Sequence, residues 1–81
     1  MKGIIKAVNY TRSLFVFEDE TGDCGYFEAA NTDDFEEDDI IFGNLHNLGD
    51  ITVVKEEDRA VYAVTVEDFG MTLEHATEMI F

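Results

Sequence analysis

Eighty-one residues bound a single domain with room for one modest core, and a hydrophobic fraction of 46% is too high for a disordered acidic tail. A net charge of −14, from 19 acidic and 5 basic residues, turns most of the surface away from phosphate backbones and towards basic partners. No apolar run reaches the roughly 20 residues of a membrane span, the single Cys24 has no disulfide mate and no leader pattern opens the chain, so a reducing cytoplasm is the expected setting.

In chain order, "GIIKAVNY" (3–10) is a β-branched, apolar-rich run, and Asn9 to Arg12 read as a turn. In "SLFVFEDE" (13–20), Leu14 and Val16 point one way and Phe15 and Phe17 the other, which predicts a strand covered on two sides or one in a tight barrel. "TGD" (21–23) is turn chemistry. "CGYFEAA" (24–30) predicts a third strand, with Gly25 marking a bulge or sharp bend. "IIFGNLH" (40–46), "ITVVKE" (51–56) and "AVYAVTVE" (60–67) predict three more strands, the last with Tyr62, Val64 and Val66 on one face and "DFG" at its end. In "MTLEHATEMIF" the period changes: Leu73, Ala76 and Ile80 recur at helical spacing after Thr72, a suitable N-cap. The expected architecture is therefore all-β, one domain over 1–81. It is a small five- to six-stranded barrel of strands at about 3–67, closed by a short C-terminal helix at about 71–80. The apolar "MIF" at 79–81 packs either at home or across a weak homodimer interface.

The stretches "GIIKAVN" (3–9), "RSLFVF" (12–17) and "GYFE" (25–28) together resemble the opening of the cold-shock branch of the OB-fold, through Gly3, Ile5, Lys6, Asn9, Arg12, Phe17 and Phe27. The resemblance covers about the first third of the chain and implies an OB-like barrel. It also implies single-strand binding by bases stacked on exposed rings, each stack contributing about 1–3 kcal/mol. The stacking positions depart from the pattern: they fall on Ala7, Leu14 and Val16, Tyr26 alone is kept, and a base-contacting His becomes Glu28. What the resemblance leaves for nucleic acid is Lys2, Lys6, Arg12 and Tyr26, of which Tyr26 reads rather as a half-buried strand aromatic.

The charge is unevenly spread. Residues 1–17 hold Lys2, Lys6 and Arg12 and no acid, while all 19 acids lie beyond them, against Lys55 and Arg59. The densest run is "DDFEEDD": Asp33, Asp34, Glu36, Glu37, Asp38 and Asp39 around Phe35. One reading makes it a solvated loop or a short helical turn, with Phe35 tucked under the barrel as a plug, a place where the resemblance implies a short capping helix. The other makes Phe35 an exposed ring in an acidic hot spot for a basic protein. The burial of Phe35 separates them.

Catalytic and metal patterns are weak. Cys24 reads as a small buried hydrophobe, and His75 as a helix-surface residue near the C-terminal end of the dipole. A calcium loop started at Asp19 puts Cys24 at the glycine position and Ala30 at the twelfth; one started at Asp33 puts Asp38 and Asn44 there. The expectation is a non-catalytic domain without cofactor or metal, a protein-interaction or regulatory module for a basic partner. The alternatives are a nucleic-acid mimic that inhibits a DNA- or RNA-binding protein, and weak cold-shock-like single-strand binding through the N-terminal hairpin.

Overall fold

A computed structural model describes residues 1–81. Six strands, β1 (Lys2–Asn9), β2 (Leu14–Asp19), β3 (Cys24–Ala29), β4 (Ile40–Gly43), β5 (Gly49–Lys55) and β6 (Val61–Met71), precede one helix, α1 (Leu73–Ile80). The strands close a barrel in the order β1-β2-β3-β6-β5-β4, with β4 returning to β1 and every neighbouring pair antiparallel. This is the expected all-β OB-like barrel with a terminal helix, in a six-stranded closed form rather than the five-stranded, partly open one.

β5 opens two residues early, at Gly49, and three other boundaries depart from expectation. β4 stops at Gly43, and Leu45 turns inward to full burial instead of continuing the strand. β6 runs through "DFG" to Met71, because Gly70 takes a φ of 74° that lets the strand bend on past Phe69. The helix consequently starts at Leu73, not 71, behind Thr72, whose side chain accepts the His75 N–H at 3.1 Å. His75 thus lies in the first turn, near the positive end of the helix dipole, which corrects its expected place near the C-terminal end.

The two apolar faces of β2 serve two cores. Phe15 and Phe17 point into the barrel, where they pack with Phe27, Phe35, Ile41 and Val53. Leu14 and Val16 point outward, and α1 covers them with Ala76 and Ile80; Cys24 lies buried in the same outer cluster, with Ala7 and Tyr26 at its margin. The Asn9 amide donates to Ile80 O at 2.6 Å, tying the end of α1 to β1. All four positions that the resemblance assigns to base stacking, Ala7, Leu14, Val16 and Tyr26, therefore lie beneath or beside the helix. The aliphatic character of Ala7, Leu14 and Val16 has a physical reason: they are a helix seat.

Gly25 allows the barrel to close. A Cβ there would press on Asp68 O and come within 2.6 Å of Phe17 Cζ and 2.8 Å of Phe69 Cα. β3 and β6 pass at backbone contact, and their register slips on both sides of Tyr26, as expected of a bulge.

Candidate interaction surface

The acidic stretch is a loop of turns with no helix, so of the two connecting forms the solvated loop is the one observed. It is built into the barrel wall. Between Ile5 and Ala7 the register of β1 against β2 shifts at Lys6. Beside that bulge, Ile5 bonds to the loop: Ile5 N–H donates to Asp39 O at 2.9 Å, and Asp38 N–H donates to Ile5 O at 2.8 Å. Asp38 takes a left-handed φ of 74° to make that contact, a conformation Asp tolerates better than most residues. The Asp39 carboxylate, itself buried, accepts Glu36 N–H at 2.9 Å and fixes the turn between them.

Phe35 is 1% exposed. Its ring meets Phe15 at 5.4 Å, Phe27 at 5.3 Å and Tyr62 at 5.1 Å between centroids, so it is the plug and is not available as an exposed anchor. Over it sits Lys55, with Nζ 5.5 Å from the Phe35 centroid, 5.0 Å from that of Tyr62 and 3.8 Å from Asp39 Oδ2. Burial works against this ammonium, but the negative potential of the Tyr62 oxygen, Asp39 and Asp58 outweighs it, and its pKa is raised.

Asp33, Glu36, Glu37 and Asp38 face water around this plug, Asp34 is half-buried, and Asp39 is turned inward. The fold brings a second acidic segment to them, which sequence reading does not assemble. The β5–β6 turn carries Glu56, Glu57 and Asp58, and the carboxylate oxygens of Glu36, Asp39 and Glu57 lie within 4.8 Å of one another. Lys55 is the one ammonium among them. Tyr10, Asp33, Phe35, Glu36, Asp39 and Lys55 line a cleft of about 240 Å³ there, with the Tyr10 ring half exposed at its wall. The sequence signal was the turn "KEEDR" (55–59) itself, whose place beside 33–39 depends on β4 pairing with both β1 and β5.

The N-terminal cations do not converge. Lys2 opens β1 and Arg12 lies in the turn that follows it, with a strand of about 25 Å between them at 3.3 Å per residue. Lys6 is exposed at the bulge, and Tyr26 is half-buried beside α1.

At the other end of the barrel, the side chain of Asp19 is wholly buried and accepts from Thr21 N–H at 2.8 Å, Thr21 Oγ1–H at 2.5 Å and His46 Nε2–H at 2.5 Å. His46 stacks on Phe69, 4.9 Å between centroids. Burial pushes the Asp19 carboxyl up, but the Thr21 and His46 bonds outweigh it and hold the pKa below the ordinary 3.8. The stabilising share of this carboxylate is therefore complete above about pH 3.8 and is lost as the pH falls through the lowered folded value. Asp19→Asn is expected to cost about 2 kcal/mol near pH 7, in line with bonds to a charged acceptor. In urea titrations of both proteins from pH 7 to pH 2, the gap should close only below pH 4. A gap that stays constant would remove the charge from the account.

No helix is long and apolar enough to cross a membrane. No family model matches the chain, and no curated protein or solved structure is significantly similar to it.

Proposed function

We propose that this protein is a non-catalytic interaction module that docks a basic protein surface on the acidic rim formed by residues 33–39 and 56–58, in a cytoplasmic setting that keeps Cys24 a thiol. The observation that carries the reading is the gathering of Glu36, Asp39 and Glu57 from two separate loops with Lys55 as the only ammonium among them. Carboxylates held that close repel one another, and an approaching lysine or arginine relieves the repulsion. A field of one sign also steers such a partner in. Phe35 supports the rim from beneath as a structural peg, and the binding groups are the exposed acids around it. Single-strand binding of the cold-shock type has the weaker support, because α1 lies over the face it needs and the cations that remain are scattered.

A fluorescein-labelled lysine decamer, followed by anisotropy at about 50 and 200 mM salt, tests the proposal. The wild type should bind it, more weakly at the higher salt. Glu36→Gln/Glu37→Gln/Glu57→Gln should weaken binding at least tenfold. Glu67→Gln/Glu74→Gln/Glu78→Gln, which removes the same charge elsewhere, should change it less than threefold. Equal losses from the two triple variants would mean that net charge alone attracts the peptide, and the rim would have no special part.

A further inference from the structure

The outer surface of the barrel is covered unequally. On β1, β2 and β3 the outward apolar residues lie under α1. On β4, β5 and β6 the outward positions include a row that no element covers: Phe42 pairs across the strands with Val54, and Val54 with Val61. Phe42 is 41% exposed and Val61 65%. A solvated face of an antiparallel sheet ordinarily alternates polar residues outward, so three apolar residues in one cross-strand row stand out. The sequence pattern agrees. In β2 an apolar run on both faces ("LFVF") accompanies a helix on the outside; in β4 the same pattern ("IIF") has Ile41 in the core and Phe42 in water.

We infer that the Phe42–Val54–Val61 row seats an amphipathic, basic helix of the partner protein. The inference rests on the acidic-rim reading, since it supplies the apolar half of the same interface. Three observations fix the occupant. First, the row crosses three strands, about 10 Å at 4.8 Å per step, which matches the rise from i to i+7 of a helix. Second, the strip joins the rim: Glu56 N–H bonds to Ile40 O at 2.8 Å, and Phe42, Val54, Glu56 and Arg59 line one depression of about 390 Å³. Lys2 (paired with Phe42), Arg59 and Lys55 are the cations of this margin. Lys55 is taken up by Asp39, and the exposed Glu36, Glu37, Glu56, Glu57 and Asp58 outnumber the other two, so the occupant's polar face is basic. Third, a second copy would bring another −14 against this margin. Apolar residues at i, i+3 or i+4 and i+7 rest on the strip while lysines or arginines reach the rim.

The experiment uses two labelled 18-residue peptides on the full chain. One has leucines at i, i+3, i+4 and i+7 spacing with lysines elsewhere; the other has the same number of lysines with glycine and serine in place of leucine. Phe42→Ser/Val61→Ser, checked for native circular dichroism, should weaken the leucine peptide at least tenfold and the leucine-free peptide less than twofold. The Glu36→Gln/Glu37→Gln/Glu57→Gln variant should weaken both. Amide shifts of the wild type with the leucine peptide should move most at Phe42, Thr52, Val54, Val61 and Ala63, a readout that survives if the double variant fails to fold. Shifts centred on α1, or equal binding of the leucine peptide by wild type and double variant, would overturn the inference. So would a wild-type dimer in sedimentation that Phe42→Ser/Val61→Ser abolishes, because the face would then belong to a second copy. If the leucine peptide binds through the strip while the rim variant leaves both peptides unaffected, the strip stands and the rim reading falls.

Discussion

Phe35→Ala should remove about 3–5 kcal/mol of stability, the usual cost of truncating a fully buried phenylalanine. Three aromatic rings lie within 5.4 Å of its own, centroid to centroid, and Lys55 closes the site from above, so the cavity cannot collapse easily. At roughly 0.05–0.15 kcal/mol per residue, a domain of this size has only about 4–12 kcal/mol in all. The variant should therefore lose at least about a quarter of its stability, and its urea midpoint should fall by that share or more. Phe35→Leu keeps most of the volume and should cost less than about 1.5 kcal/mol. An exposed anchor ring would behave differently, with changes within about 0.5 kcal/mol for either variant. Urea denaturation followed by far-ultraviolet circular dichroism decides between them.

Ile80→Asp should detach the helix. A carboxylate in place of Ile80 would face Leu14 and Val16, the Asn9 amide beside it already donates to Ile80 O, and an eight-residue helix has little stability of its own once undocked. The expected loss is about 3–5 kcal/mol, that of a buried charge without a partner or a fully buried aliphatic side chain removed. A second readout is local. Cys24 lies in the same cluster, and burial, followed by the carboxylates Glu18 and Asp19, pushes its thiol pKa up. In the wild type it should react with a disulfide reagent only on unfolding. In the variant it should react at least tenfold faster at neutral pH without denaturant. Unchanged protection together with unchanged stability would show that α1 is not what seals this face.

The strands were legible because period-two patterning and turn residues coincide: Tyr62, Val64 and Val66 all face the core as their spacing says, and Thr72 caps the helix as its place before Leu73 says. The double-sided pattern of β2 left a strand covered on two sides or one in a tight barrel, and β2 is both. The end of β6 was not legible, since Gly70 reads as a stop in sequence and serves in the structure as a bend. Within the candidate surface, the loop 33–39 could be read from its charge and the peg role of Phe35 remained one of two readings, which only packing could separate. Glu57, Lys55 and the Phe42–Val54–Val61 row were invisible for a common reason. Each depends on which strands become neighbours, and closure of β4 onto β1 joins residues that no local pattern relates. His46 and Asp19 illustrate the same limit: 27 positions apart, they bond only because the β4–β5 connection folds over the end of β2.

The bond between Asn9 and Ile80 spans 71 residues of chain. At a translation rate of about 5–20 residues per second, the ribosome needs roughly 4 to 14 s to travel from one to the other. During that interval the first hairpin can form, but Leu14, Val16 and Cys24 have nothing to lie against. The nascent chain thus carries an apolar, thiol-bearing face before its own cover has been made. Chaperone capture, oxidation or pairing with a neighbouring nascent chain would all strike at this face, and the segment that ends the exposure is only eight residues long.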